Sequence, residues 1–150
     1  KMHGLGNDYV YVDCFAQPLR GVNLPELARR ISDRHRGVGS DGLILICPPD
    51  AGGSADVRME MYNADGSRGQ MCGNGIRCVA KYAYEHGLAP RPELRIETDC
   101  GVKTLALDAR DGRVENATVD MGAPDLSPTA LPIEPSGAGV AARESAESVR

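Results

Sequence analysis

The chain has 150 residues, a formal charge of -4, 41% hydrophobic and 25% charged residues, and five cysteines. This is enough for one compact domain with its own core. The acidic balance, with a pI near 5.4, argues against nucleic acid or an anionic membrane as the main partner. No apolar run is long enough to span a bilayer and no signal-peptide pattern opens the chain, so a soluble, cytoplasmic protein is expected. Lys1 opens the chain where a methionine would stand, as a trimmed or processed start would. An odd cysteine count without a secretion signal speaks against a disulfide framework. Cys72 and Cys78 are spaced too widely for a metal-binding pair and the three histidines add no second pair, so no metal site is expected.

In chain order, residues 9–13 alternate aromatic, β-branched and polar side chains and predict a short strand. Asn23 and Pro25 open a helix in which Leu24, Leu27, Ala28 and Ile31 recur at helical spacing, with Gly37 as its expected stop. Residues 43–47 are apolar without interruption and end at Pro48-Pro49, the pattern of a strand buried on both faces. Residues 57–62 alternate, with Val57, Met59 and Met61 on one side and Arg58, Glu60 and Tyr62 on the other. From Asn74 to Glu85 a helix is apolar almost all round, and its charges, Arg77, Lys81 and Glu85, form a single stripe. Such a helix belongs inside the fold, and Gly87 suits its C-terminal cap. Strands are expected over 94–98, 102–107 and 114–121, with Asp111-Gly112 as a hairpin turn. These elements predict an α+β fold, a strongly curved, mostly antiparallel sheet wrapped around a buried central helix. The domain is expected to span 1–123. Residues 124–150, rich in Pro, Ala, Ser and Gly, read as a linker or the start of a second, missing domain.

Three polar, glycine-rich stretches could carry chemistry: 3–8, 37–42, and 63–67 leading into 71–75. None has the spacing of a phosphate loop or a dinucleotide fingerprint, and Arg68 and Asn74 occupy the positions a calcium loop needs for glycine and glutamate. Cys72-Gly73-Asn74-Gly75 stands at the start of the buried helix. Unpaired amides and the positive end of the helix dipole make that point an anion site, and the same field favours the thiolate form of a sulfur placed there. The expectation is that the helix start binds a substrate carboxylate while Cys72 acts on the adjacent α-carbon, with Asn7, Asn63 and Asn74 as neutral donors and acceptors. Asp65 and Ser67 are expected to shape the turn. The alternative for Cys72 is a buried, inert thiol, the reading given to Cys14 and Cys47 in strands and to Cys78 in the helix.

Residues 1–8, the 34–42 loop, and 63–67 followed by Cys72-Gly73-Asn74-Gly75-Ile76-Arg77-Cys78 closely resemble diaminopimelate epimerases, in order from Lys1 to about Pro124. The resemblance implies the N-terminal half of an enzyme with two similar domains, each a sheet wrapped around a central helix. It implies cofactor-independent conversion of LL-2,6-diaminopimelate to the meso form, toward lysine and peptidoglycan, by two cysteines on opposite faces of the α-carbon. By position Cys72 is the first of these, and Asn7, Asn63, Gly73 and Asn74 match substrate-contacting positions. The implied partners are the small-molecule substrate and, in a homodimer, a second copy. Two departures stand out: some members have a substrate-contacting glutamine where this chain has Gly42, and the partner cysteine belongs to the second domain. The chain alone is therefore expected to be inactive as an epimerase. The alternatives are a proline racemase or phenazine-type isomerase of the same fold, or a non-catalytic amino-acid-binding module. Cys-Gly-Asn-Gly favours the epimerase over the first pair, whose sites tend to carry histidine at the Asn74 position or to lack the cysteine.

Overall fold

A computed structural model describes residues 1–50 and 53–124; the expected linker over 124–150 lies, past its first residue, outside the described residues. The sheet begins with a tight hairpin. β1 (Met2–Gly4) and β2 (Asn7–Asp13) pair antiparallel around Leu5 and Gly6, both at positive φ (54° and 88°), the turn geometry that matches strand twist. This hairpin was not expected from the sequence, because Leu5 gives no turn signal.

α1 (Leu24–Ser32) starts where expected, the Asn23 side chain accepting from the Glu26 amide and Pro25 filling the first turn. It stops five residues before Gly37. Asp33 accepts from the amides of His35 and Arg36 (2.8 and 3.0 Å), and this side-chain turn outcompetes another helical turn. Gly37 serves close packing instead, since a Cβ there would lie 2.3 Å from the Arg30 carbonyl oxygen.

β3 (Gly42–Cys47) runs parallel to β2, and β4 (Val57–Asn63) antiparallel to β3. The unbroken apolar run of β3 has a direct cause. Ile44 and Ile46 face the core around the second helix, while Leu43, Leu45 and Cys47 face a smaller core under α1. A two-residue strand, β5 (Arg68–Gly69), pairs with β4; it is too short to leave a periodic signal. β6 (Glu93–Thr98) lies parallel to β4, and β7 (Gly101–Arg110) and β8 (Arg113–Val119) complete the meander. Their turn is Asp111-Gly112, both at positive φ. β7 extends beyond the expected 102–107, and β8 ends two residues short of the expected 121.

The sheet order is β1-β2-β3-β4-β6-β7-β8, with β5 beside β4. Two pairings are parallel, β2–β3 and β4–β6, and each is bridged by a helix; the others are antiparallel. α2 (Gly73–Glu85) packs against both edge strands, β1 and β8, and against strands between them. A sheet whose two edges touch one helix must curl around it. Ile76, Val79, Ala80 and Ala83 are fully buried, as the all-round apolar pattern requires. Its charged stripe lies in the remaining gap, Lys81 donating to Glu85 and to the Val114 carbonyl of β8 (2.6 and 2.8 Å). β4 and β6 pair at only two positions, and there Arg58 bridges Asp50, Glu60 and Glu97.

Candidate active site

The site is built on the first turn of α2. Cys72 is its N-cap, in extended conformation (φ -132°, ψ 116°). Its carbonyl accepts from the Ile76 amide (2.8 Å), and its Sγ accepts from the Gly75 amide (3.3 Å). A helix leaves its first amides without intrahelical partners. Those of Gly75 and Ile76 are taken by Cys72 itself, whereas those of Gly73 and Asn74 donate to nothing among the described residues. Gly75 lets this turn close onto β3, because a Cβ would stand 2.5 Å from Ile44 Cδ1. Met121, half exposed, lies beside Gly73.

Arg77, one turn on, reaches back to the same place. Its guanidinium donates to the Gly73 carbonyl (3.0 Å) and to Asn74 Oδ1 (2.7 Å). Guanidinium only donates, so the oxygen of the Asn74 amide is committed and its Nδ2 remains a donor. β1 closes the other side, with Gly4 so near Asn74 that a Cβ would be 3.1 Å from both its Cβ and its carbonyl oxygen.

Asn7, the first residue of β2, faces the cysteine: Sγ–H donates to Asn7 Oδ1 (3.2 Å), and Asn7 Nδ2 donates to Asp41 Oδ2 (2.7 Å). Asp41 Oδ2 also accepts from the Asp8 amide (2.9 Å), and Arg34 donates to both Asp41 Oδ1 (2.9 Å) and Asp8 Oδ1 (2.8 Å). Lys1 completes the group on Asp8 (2.8 Å). Arg34, then Lys1, hold the Asp8 carboxyl well below the usual carboxylate range. Tyr9, buried in the core against which Cys72 packs, has its phenol pushed up by burial, which Asn7 opposes.

Of the residues singled out in the sequence, Asn7, Cys72, Gly73 and Asn74 come together. Asn63 does not join their hydrogen bonds. It sits at the end of β4, opposite Gly42, and its Nδ2 donates to Ser67 Oγ (2.9 Å) in a turn held by Asp65 Oδ1, which accepts from the amide and hydroxyl of Ser67 (2.8 and 2.6 Å). Asp65 and Ser67 thus shape the turn as expected. Gly42 has no room for a side chain, since a Cβ would be 2.2 Å from the Tyr62 carbonyl oxygen. The glutamine contact of some relatives has no counterpart on this backbone.

Asp41, Arg34 and Arg77 had no assigned role in the sequence reading. Asp41 and Arg34 lie in a stretch quoted above, but only the parallel pairing of β2 with β3 brings Asp41 to Asn7, 34 positions away. Arg77 was readable only as part of the charged stripe. Among the other cysteines, Cys78 is buried, Cys47 ends β3 and Cys100 is exposed. Cys14 stands one residue past the end of β2 and not within it. Burial pushes both the Cys14 and Cys47 thiols up. Among the described residues no three His, Cys, Asp or Glu side chains converge in a way that could hold a metal ion.

Residues 1–127 match the family model of diaminopimelate epimerase. The chain belongs to the diaminopimelate epimerase family. It is 52% identical over 133 residues to the diaminopimelate epimerase of Geobacillus kaustophilus, covering 89% of this chain and 45% of that protein. It is 52% identical over 141 residues to that of Desulfovibrio desulfuricans, covering 93% and 47%. The chain therefore spans about half the length of the curated relatives it matches. Among solved structures, a probable proline racemase from Agrobacterium radiobacter K84 superposes with a TM-score of 0.52 at 25% identity, over 63% of this chain and 28% of that one. A Bacillus anthracis phenazine biosynthesis protein of the PhzF family gives 0.55 at 20% identity, over 79% and 36%. The curled sheet around a helix is the fold these share. No helix among the described residues is long and apolar enough to cross a membrane.

Proposed function

We propose that this chain supplies one of the two proton-transfer groups of a cytoplasmic, cofactor-independent epimerase that converts LL-2,6-diaminopimelate to the meso form, serving lysine and peptidoglycan synthesis. The observation that carries the reading is a sulfur, Cys72 Sγ, capping a helix beside the amides of Gly73 and Asn74, which have no partner among the described residues. The substrate α-carboxylate binds those amides, with the Asn74 Nδ2 donor beside them, and the α-carbon then lies against the sulfur. Cys72 takes or gives the α-proton according to which stereoisomer is bound. As the proton leaves, the electron pair moves into the carboxylate, where preorganised donors are worth roughly 3–4 kcal/mol each. Asn63, at the neighbouring strand end, serves the distal part of the substrate.

Inversion needs an acid on the opposite face, supplied from the half of the relatives' length that this chain does not span. The test is α-deuterium incorporation from heavy water into diaminopimelate. It is run on the chain alone and on the chain joined to the second half of the Geobacillus kaustophilus relative. The joined protein should form the epimer with α-deuterium uptake and lose at least about 10²-fold of that epimerisation rate on Cys72→Ala, while the chain alone should give no net epimerisation. Epimerisation that survives Cys72→Ala removes the thiol from the mechanism, and epimerisation by the chain alone removes the need for a second group.

A further inference from the structure

The hydrogen bonds around Asn7 have only one consistent polarity. A carboxylate accepts and never donates, so the Asn7 group facing Asp41 Oδ2 at 2.7 Å is its NH₂. Its oxygen therefore faces Cys72 Sγ at 3.2 Å, and the sulfur must be the donor. Asp41 cannot easily turn away, because the same Oδ2 accepts from the Asp8 amide and its Oδ1 is held by Arg34. We propose that Asp41, clamped by Arg34, is a positioning residue that locks the Asn7 amide with its oxygen toward Cys72, so that this cysteine rests as the thiol and is primed to deliver a proton. This rests on the reading of Cys72 as a proton-transfer group and adds the direction in which it is poised.

The two contacts on the sulfur then have separate roles. Asn7 Oδ1 orients the S–H before transfer, and the Gly75 amide, 3.3 Å away, stabilises the thiolate left afterwards. The proton moves from Sγ to the α-carbanion, the S–H bond electrons stay on sulfur, and the new C–H bond uses the carbanion pair. In the direction in which Cys72 gives the proton, the base acting first on the substrate is the group on the opposite face. The other titratable or charged groups around the sulfur are Tyr9 and Tyr11 of β2 and Arg77 and Cys78 of α2; Asp41 acts through Asn7.

The test is a double-mutant cycle on the 150-residue chain, read as the iodoacetamide alkylation rate of Cys72 at neutral pH by peptide mass spectrometry. Asp41→Ala removes the acceptor that fixes the Asn7 NH₂. Asn7 turns over and points its NH₂ at the sulfur, favouring the thiolate. Alkylation of Cys72 should rise on the order of fivefold, with the exposed Cys100 unchanged as a control on folding. In an Asn7→Ala background the same Asp41→Ala change should add little. An equal effect in both backgrounds would mean that Asp41 acts only through its charge, and no effect in either that it does not act on the sulfur; each outcome overturns the proposal. Should Asp41→Ala fail to fold, the Raman S–H band of the parent chain minus that of Cys72→Ala tests the resting thiol directly. A Cys72 contribution at neutral pH is expected, and its absence overturns the resting thiol. The cycle reads the sulfur alone and the heavy-water exchange reads catalysis, so the two readings fail separately.

Discussion

At Gly42 a Cβ would meet the Tyr62 carbonyl oxygen at 2.2 Å and the Tyr9 ring at 2.8 Å. Tyr62 and Tyr9 are both buried, and the carbonyl belongs to the ladder between β3 and β4. Restoring the glutamine found at this position in some relatives is therefore expected to harm this chain, because the backbone must move to admit any side chain. Gly42→Gln should lower the unfolding free energy by about 1–3 kcal/mol or more, measured as a fall in the urea midpoint. A midpoint equal to that of the parent would show that β3 and β4 can separate here at no cost. The same crowding explains why the family resemblance could flag Gly42 as a departure without saying what replaces the contact. The residues that orient this site's polar groups, Asp41 and Arg77, touch them from behind.

The helix α2 does two things at its first turn: it starts, and it presents a sulfur. Cys72 holds the N-cap position, accepting from the Gly75 amide, a task at which serine is among the best residues and alanine among the poorest. The two replacements should separate stability from chemistry. Cys72→Ser is expected to keep the parent's thermal midpoint within error, while Cys72→Ala costs about 0.5–2 kcal/mol. Both should abolish net epimerisation by the joined protein. If serine destabilised as much as alanine, the cap would be incidental and the position of the sulfur would need another cause. The opposite end of α2 is anchored by His86, whose amide donates to the Tyr82 carbonyl, and by the Tyr82 hydroxyl on Asp13 (3.1 Å), so the helix cannot slide along the sheet without breaking contacts at both ends.

Across the whole molecule, carboxylates held by cations or by turn donors tie distant segments together. Arg34 and Lys1 lower Asp8, the Ser67 hydroxyl and amide lower Asp65, Lys81 lowers Glu85, and Arg68 lowers Asp99. A carboxyl lowered by folding contributes stability that is fully present above its ordinary value, 3.8 for aspartate and 4.5 for glutamate. That stability is lost as pH falls through the folded-state value. The urea midpoint should therefore hold above about pH 5 as far as these groups are concerned, and fall progressively below it. Added salt should shrink the effect, since Asp65 and Asp99 are exposed and Asp8 and Glu85 only partly buried. A midpoint unchanged between about pH 5 and pH 3 would mean that these pairs do not bias folding.

The strands over 57–63 and 93–98 and the buried helix were readable from the chain because burial writes itself into periodicity: a half-buried strand alternates and a wrapped helix is apolar on nearly every side. The curl of the sheet followed from that helix, and the sulfur at its start followed from Cys72-Gly73 preceding the apolar run. Local competition misled the reading at Gly37, where the Asp33 turn had already ended α1, and shortness hid β5. What the sequence determined by itself was the two helices, the longer strands and the placing of Cys72, Gly73 and Asn74, since these depend on neighbours within a few residues. Tertiary structure alone decided that Asn7 meets Cys72 from 65 positions away, that Asp41 fixes its polarity, and that Asn63 turns its amide into its own loop. Pairing register and hydrogen-bond direction are properties of strands brought side by side, and no single stretch of the chain contains them.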